Sequence, residues 1–283
     1  MKARVAAIAL ALLAAAVASA LAVIEWRRAA RAEEGLRQRL SQRVTARPQA
    51  EVSCVALAQR RPLVLLALGQ SNAGNHGLAA PGSEEPIFVF TDQGKCYLTA
   101  DPLPGATGQG ASIWSRLPAA LAQEGVDRPL LLAVLAVDAS SMREWTDARG
   151  PLPALLDDMG RALRAAALPP ALVLWQQGEA DARAGTAAAA YQQGLLALAG
   201  RLRAAGISAP LVLARSTRCR GEPAEPLRAA MAQLAATDPH FILGPDTDDL
   251  MDAPYRSDGC HFGPAGLQVA AERWARSVAP LLR

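Results

Sequence analysis

Apolar positions in this chain fall into two kinds of run. Near the N-terminus an unbroken stretch, Val5 to Ile24, follows Lys2 and Arg4. As a helix it spans about 30 Å, the thickness of a bilayer core. Further on, short apolar runs stand between turn residues: Leu63–Leu68, between Pro62 and Gly69, then Leu130–Val137, Ala171–Trp175 and Leu211–Ala214. Between them lie stretches with helical amphipathic spacing: Ile113–Gln123, Ala154–Ala167, Ala187–Ala205, Pro226–Ala236 and Gly266–Leu282. Continuous apolar strands alternating with helices predict an α/β domain with a parallel sheet covered on both faces. Ala79–Gly110 is rich in Gly and Pro and offers one strand, Ile87–Phe90, so it reads as a long loop over a sheet edge.

Three segments follow: residues 1–25 as signal anchor or signal peptide, 26–50 as a juxtamembrane helix and linker, and 51–283 as the globular domain. Ala18-Ser19-Ala20 offers a cleavage site, yet the apolar run continues past it to Glu25-Trp26-Arg27-Arg28, which favours an uncleaved transmembrane helix. Arginines flank the run on both sides, so the positive-inside rule leaves its orientation open. Arg27 to Arg47 reads as a solvated helix ended by Pro48.

Composition narrows the function classes. The chain has 283 residues, 51% of them hydrophobic, enough for one ordinary domain plus an appendage. The net charge of +3 comes mostly from the arginines after the apolar run, and no basic stripe with interleaved aromatics exists elsewhere, which argues against nucleic acid. The four cysteines, Cys54, Cys96, Cys219 and Cys260, form no CxxC pair, so zinc-site spacing is lacking. Two readings stay open: four free thiols, or two disulfides (Cys54 with Cys96, Cys219 with Cys260) formed in an oxidising compartment such as the periplasm.

In open parallel sheets, ligands bind beyond the carboxyl ends of the strands, so the residues there carry the candidate chemistry. After the first strand comes Gly69-Gln70-Ser71-Asn72. Gly69 permits a sharp turn, and Ser71 falls at an expected helix N-terminus, either as a nucleophile facing the crevice or simply as a helix cap. After Ala171–Trp175 comes Gln176-Gln177-Gly178-Glu179-Ala180-Asp181, a polar group that is costly to bury without a purpose. A side-chain amide such as Gln177 suits an oxyanion donor, and Glu179 and Asp181 suit helix capping. Asp258 and His261 lie three residues apart on one loop, a spacing that lets the carboxylate fix the imidazole tautomer. Of the other two histidines, neither His76 nor His240 has a carboxylate at that spacing, although His76 is near Ser71 in sequence.

These blocks resemble the SGNH hydrolases, specifically their sialate O-acetylesterase-like branch of carbohydrate acetyl esterases. Gly69-Gln70-Ser71-Asn72, Trp175-Gln176-Gln177-Gly178-Glu179-Ala180-Asp181 and Ser257-Asp258-Gly259-Cys260-His261-Phe262 look like three of its blocks, and the likeness runs from about Cys54 to Leu282. The resemblance implies a three-layer α/β/α sandwich with a flavodoxin-like sheet. It implies Ser71 as nucleophile, His261 as base and Asp258 as its orienter, with an oxyanion hole from the Ser71 N–H, the Gln177 side chain and the Ala139 N–H. No metal or organic cofactor is implied.

One block departs from the pattern. Where that branch has two glycines, this chain reads Asp138-Ala139-Ser140-Ser141-Met142-Arg143-Glu144-Trp145. If the hole demands a positive φ, Ala139 is strained by about 1–2 kcal/mol. If φ is negative, Ala139 presents the same N–H at little cost. The expected function is a serine esterase removing O-acetyl groups from a carbohydrate at a bacterial cell envelope, anchored in the inner membrane or secreted. An acyltransferase with the same triad and a non-catalytic glycan-binding protein are the alternatives. The sequence leaves the oligomeric state and the glycan open.

Overall fold

A computed structural model describes residues 2–78, 85–251 and 253–283; the side chains of residues 2–11, 13, 14 and 48 are not among what it describes. The chain divides into two compact units, Met1–Ser41 and Gln42–Arg283. The first is one helix, α1 (Lys2–Ser41), whose exposed Glu33 and Arg37 pair one turn apart at 2.7 Å. Among the described residues no helix is long and apolar enough to cross a membrane. The expected span Val5–Ile24 lies within α1, but the side chains of residues 5–11, 13 and 14 are outside what is described, and nothing described shows it to be a transmembrane helix.

The helix expected to continue to Arg47 stops at Ser41. Residues beyond it take up other backbone partners: Val44 N–H donates to Ala106 O, Gly105 N–H to Val44 O, and Arg43 forms a bridge with Thr107. The Arg43 guanidinium is buried on the Asp92 carboxylate at 2.8 and 3.1 Å. A charge buried in this way needs its partner, which fixes the segment on the globular unit.

That unit is built on one eight-stranded sheet: β1 (Glu51–Val52), β2 (Leu63–Gly69), β3 (Ile87–Phe90), β4 (Cys96–Thr99), β5 (Leu130–Ala136), β6 (Leu172–Gln176), β7 (Leu211–Arg215) and β8 (Phe241–Asp246). Their order is β1-β4-β3-β5-β2-β6-β7-β8. Pairings are parallel from β3 through β8, while β4 runs antiparallel to both β3 and β1. The core β5-β2-β6-β7-β8 has the 2-1-3-4-5 order of a flavodoxin-like sheet. Strands form where the apolar runs predict them. The stretch read as a loop, however, contains the β3–β4 hairpin, and the sequence reading contained no counterpart of β8.

Both faces of the central strands are buried, which is why their sequences are apolar without alternation. Leu63, Leu65 and Ala67 of β2 point to the side packed by α3 (Leu117–Gln123) and α9 (Pro264–Leu282), around Trp114 and Trp274. The intervening Val64, Leu66 and Leu68 are equally buried, so they face the opposite side. The remaining helices are α2 (Cys54–Gln59), α4 (Met142–Thr146), α5 (Pro151–Ala165), α6 (Glu179–Ala184), α7 (Ala188–Ala204) and α8 (Glu225–Thr237). Disulfides join Cys54 to Cys96 and Cys219 to Cys260.

Chain order reverses around β2, with β5 on one side and β6 on the other. The crevice at the carboxyl ends of these three strands is where an open sheet of this kind takes its ligand.

Candidate active site

At the end of β2 the chain turns at Gly69, whose φ is +148°. A Cβ there would sit 2.1 Å from the Gln176 carbonyl oxygen, so only glycine allows β2 and β6 to approach this closely. The turn leads into a single 3₁₀ turn, Ser71–Ala73, in place of the expected helix N-terminus. Gln70, not Ser71, holds its cap position, and Ser71 is nearly fully buried. The Ser71 backbone N–H donates to no other described residue.

Asp258 and His261 meet on the loop between β8 and α9. His261 Nδ1 lies 2.9 Å from Asp258 Oδ2, while the backbone N–H groups of His261 and Cys260 donate to Asp258 Oδ1 at 2.7 and 2.9 Å. Burial pushes the Asp258 pKa up, but these donors outweigh it and hold the carboxyl well below the usual carboxylate range. With Nδ1 engaged, the ring presents Nε2. Arg256, buried under this loop, donates to Leu250 O at 2.8 Å, to Thr247 O at 2.7 Å and to Cys260 O. Its guanidinium lies 4.4 Å from the Phe262 ring centre. The Cys219–Cys260 bond adds a covalent tie, and exposed Arg220 donates to Asp258 O at 3.2 Å.

Asn72 joins the two halves. Its Nδ2 donates to Cys260 O at 3.2 Å and to Glu179 Oε1 at 2.7 Å, so the residue after Ser71 is bonded to the residue before His261. The Leu78 N–H donates to Phe262 O at 2.9 Å, repeating the link. No hydrogen bond runs directly from Ser71 Oγ to His261 among the described residues; the His261 ring bonds only Asp258.

The polar block after β6 is a buried network. Glu179 Oε1 also accepts from Ser216 Oγ at 2.8 Å, while Oε2 has no partner among the described residues. Burial raises the pKa of Glu179, against the lowering effect of its Asn72 and Ser216 bonds. Neither Glu179 nor Asp181 caps α6, whose cap position is Gly178. Asp181 instead accepts from Met142 N–H at 2.8 Å, Gln177 Nε2 at 2.6 Å and Thr186 Oγ1 at 2.8 Å. The two N–H bonds of the Gln177 amide go to Asp181 and to Ser140 O at 3.0 Å, and its Oε1 accepts from Tyr191 at 2.9 Å. An amide has two donor hydrogens, so Gln177 as placed here has none left for a ligand.

The third loop follows β5. Val137 N–H donates to Gly69 O at 3.0 Å, which seats this loop beside the Ser71 turn. Ala139 has a φ of +50°, the left-handed conformation, so the strained alternative of the two read from the sequence is the one that occurs. Its N–H donates to no other described residue. Ser140 Oγ accepts from Trp145 Nε1 at 2.9 Å, and a capping box between Ser141 and Glu144 starts α4.

Asn72 as a link, Arg256 as a prop and His76 as a neighbour of His261 do not follow from the sequence pattern. The two rings stack with centres 5.4 Å apart. Asn72, in Gly69-Gln70-Ser71-Asn72, and His76, close to Ser71 in sequence, carry a sequence signal.

Residues 62–279 match the family described as carbohydrate esterase, sialic acid-specific acetylesterase. The chain belongs to this family. It is a carboxylic ester hydrolase, with two disulfides that suit an oxidising, extracytoplasmic setting. No curated protein matches the esterase by sequence. Among solved structures it is similar to a protein from Arabidopsis thaliana, with TM-score 0.61 and 18% identity over 76% of this chain and 97% of that one. NanS gives 0.54 and 16% identity over 77% and 98%. A carbohydrate acetylesterase from Xanthomonas citri gives 0.52 and 18% identity, over 77% of this chain and 56% of that longer one. At these identities the likeness concerns the fold.

Proposed function

We propose that the esterase removes O-acetyl groups from a carbohydrate through an acyl-enzyme on Ser71. One observation carries this reading: the Asp258–His261 pair sits on a loop that Asn72 bonds to the Ser71 turn. In the proposed cycle His261 Nε2 accepts the Ser71 hydroxyl proton as Oγ attacks the acetyl carbonyl. The oxyanion is held by the Ser71 and Ala139 backbone N–H groups, both without acceptors among the described residues. His261 then protonates the departing sugar oxygen. Water, deprotonated by His261, releases acetate and restores Ser71. In this scheme the Ser71–His261 hydrogen bond forms when substrate enters, since catalytic hydrogen bonds are often completed only in the complex.

Gln177 enters this scheme differently from the donor role read from the sequence. Its amide fixes the Ser140 carbonyl, and with it the turn that aims the Ala139 N–H. The N-terminal apolar run and the two disulfides support a matching localisation: residues 1–25 act as a signal anchor or a cleaved signal peptide, and the globular unit, Gln42–Arg283, acts on an acetylated glycan in the periplasm, tethered or secreted.

The test uses the purified full-length chain, a fluorophosphonate probe and an acetate-release assay on acetylated sugars. Wild type labels and releases acetate; Ser71→Ala does neither. A folded wild type that neither labels nor releases acetate overturns the proposal, as does a fully active Ser71→Ala.

A further inference from the structure

We propose that His76, Asp138 and His261 form a binding site for a divalent late-transition-metal ion, of which Zn²⁺ is the probe, and that the bound ion switches the hydrolase off. One ligand atom from each of the three residues lies within 4.8 Å of those of the other two. All three are partly accessible, so an ion reaches them from solvent. No other such group of three occurs among the described residues.

The donor set is selective. Two imidazole nitrogens and one carboxylate oxygen suit zinc, copper and nickel, whereas calcium and magnesium require oxygen ligands. Around a tetrahedral zinc with bonds of about 2.0–2.1 Å the donors stand about 3.3 Å apart. The present spacing therefore closes by at most about 1.5 Å, within the reach of side-chain rotation. His261 is already oriented for ligation, because Asp258 holds its Nδ1 and leaves Nε2 outward. A carboxylate behind a ligating histidine raises its basicity and fixes its direction. Burial lowers the His76 pKa, and the neighbouring His261 lowers it too, against the opposing pull of Asp138.

Each residue also has a place in the fold without an ion. His76 Nε2 lies 3.1 Å from Thr107 Oγ1, and Asp138 N–H donates to that same oxygen at 2.8 Å. Thr107 thus holds both residues beside the His261 ring. The inhibitory half of the inference rests on the proposed role of His261: an ion on Nε2 occupies the lone pair that takes the Ser71 proton.

The experiment is calorimetric titration of metal-free full-length chain with ZnCl₂, beside hydrolysis of p-nitrophenyl acetate with zinc and then with chelator. Wild type is expected to bind one ion per chain with a micromolar dissociation constant, and to ignore Mg²⁺ and Ca²⁺. His76→Ala and Asp138→Asn each weaken binding at least about tenfold, a loss seen even for residues that only orient a metal ligand. Asp138→Asn keeps the side-chain size and guards against misfolding, which circular dichroism monitors. Inhibition, normalised to each variant's own zinc-free rate, follows the binding curve and is reversed by chelator. Absence of stoichiometric binding, or equal affinity in both variants, overturns the site. Variant-sensitive binding without inhibition upholds the site and overturns His261 as the base.

Discussion

Ala139→Gly isolates the backbone cost at the proposed oxyanion turn. An alanine in the left-handed region at φ +50° costs about 1–2 kcal/mol, which glycine avoids. Glycine also enlarges the unfolded ensemble, which costs about 0.4–1 kcal/mol. The net gain is about 0.8 kcal/mol, or a melting-temperature rise of about 2–3 °C for a domain of this size. Ala167, with φ +56° just beyond α5 and away from the site, provides the comparison. Thermal unfolding of both variants with the disulfides intact should show similar gains. Steady-state kinetics on an acetyl ester then separates strain from aim. If the strained turn serves to direct the N–H, Ala139→Gly gains stability and loses kcat, because the freed turn samples other conformations, while Ala167→Gly gains stability alone. A drop in stability for Ala139→Gly beside a rise for Ala167→Gly would refute the strain argument, since it would mean that the Ala139 methyl contributes packing larger than its conformational cost.

Asn72→Ala removes the donor to buried Glu179 and the bond to Cys260 O, so urea unfolding should show a loss of about 1–3 kcal/mol together with a fall in kcat. Converting Cys219 and Cys260 to serine opens a 41-residue separation, and converting Cys54 and Cys96 opens one of 42, so chain entropy predicts a similar loss of about 4 kcal/mol for each. Only the first pair adjoins His261; the assay expects kcat below the melting range to fall more there, and equal kcat losses would count against the loop's role. Asp258→Asn should lower kcat by about 10⁴-fold. Because the folded-state pKa of Asp258 is depressed, its contribution to stability is present above the unfolded carboxyl pKa of about 3.9 and is lost as pH falls toward the lower folded value. Urea unfolding across pH should therefore show the wild-type advantage over Asp258→Asn at pH 6 shrinking below about pH 4.

The sequence made the fold legible where a strand is buried on both faces. An uninterrupted apolar run such as Leu63–Leu68 has few other uses at that length. It failed at the edges. β8 carries Gly244 and Pro245, residues that weaken a strand pattern, yet an edge strand tolerates proline because one side of its ladder is unpaired. β4 was hidden among glycines and prolines, and Cys96, which faces β1 and bonds Cys54, is what marks it in space. For the site, spacing along one loop sufficed for Asp258 and His261, whose geometry is local. Contacts between distant segments were another matter: Asn72 with Cys260, 188 residues apart, and His76 with His261 follow from topology rather than from any pattern near those residues. Gln177 shows the deeper limit. A residue type and a strand end identify an amide able to donate, but donor capacity is finite, and Asp181 four residues on and Ser140 across the crevice both draw on it. The same accounting identifies the N–H groups of Ser71 and Ala139, which have no acceptor among the described residues. Ser71 is buried and Ala139 half-buried, and a buried donor is rarely left unpaired unless something else is to bind it. In the proposed cycle it is therefore this pair, rather than the Gln177 amide, that meets the charge developing during hydrolysis.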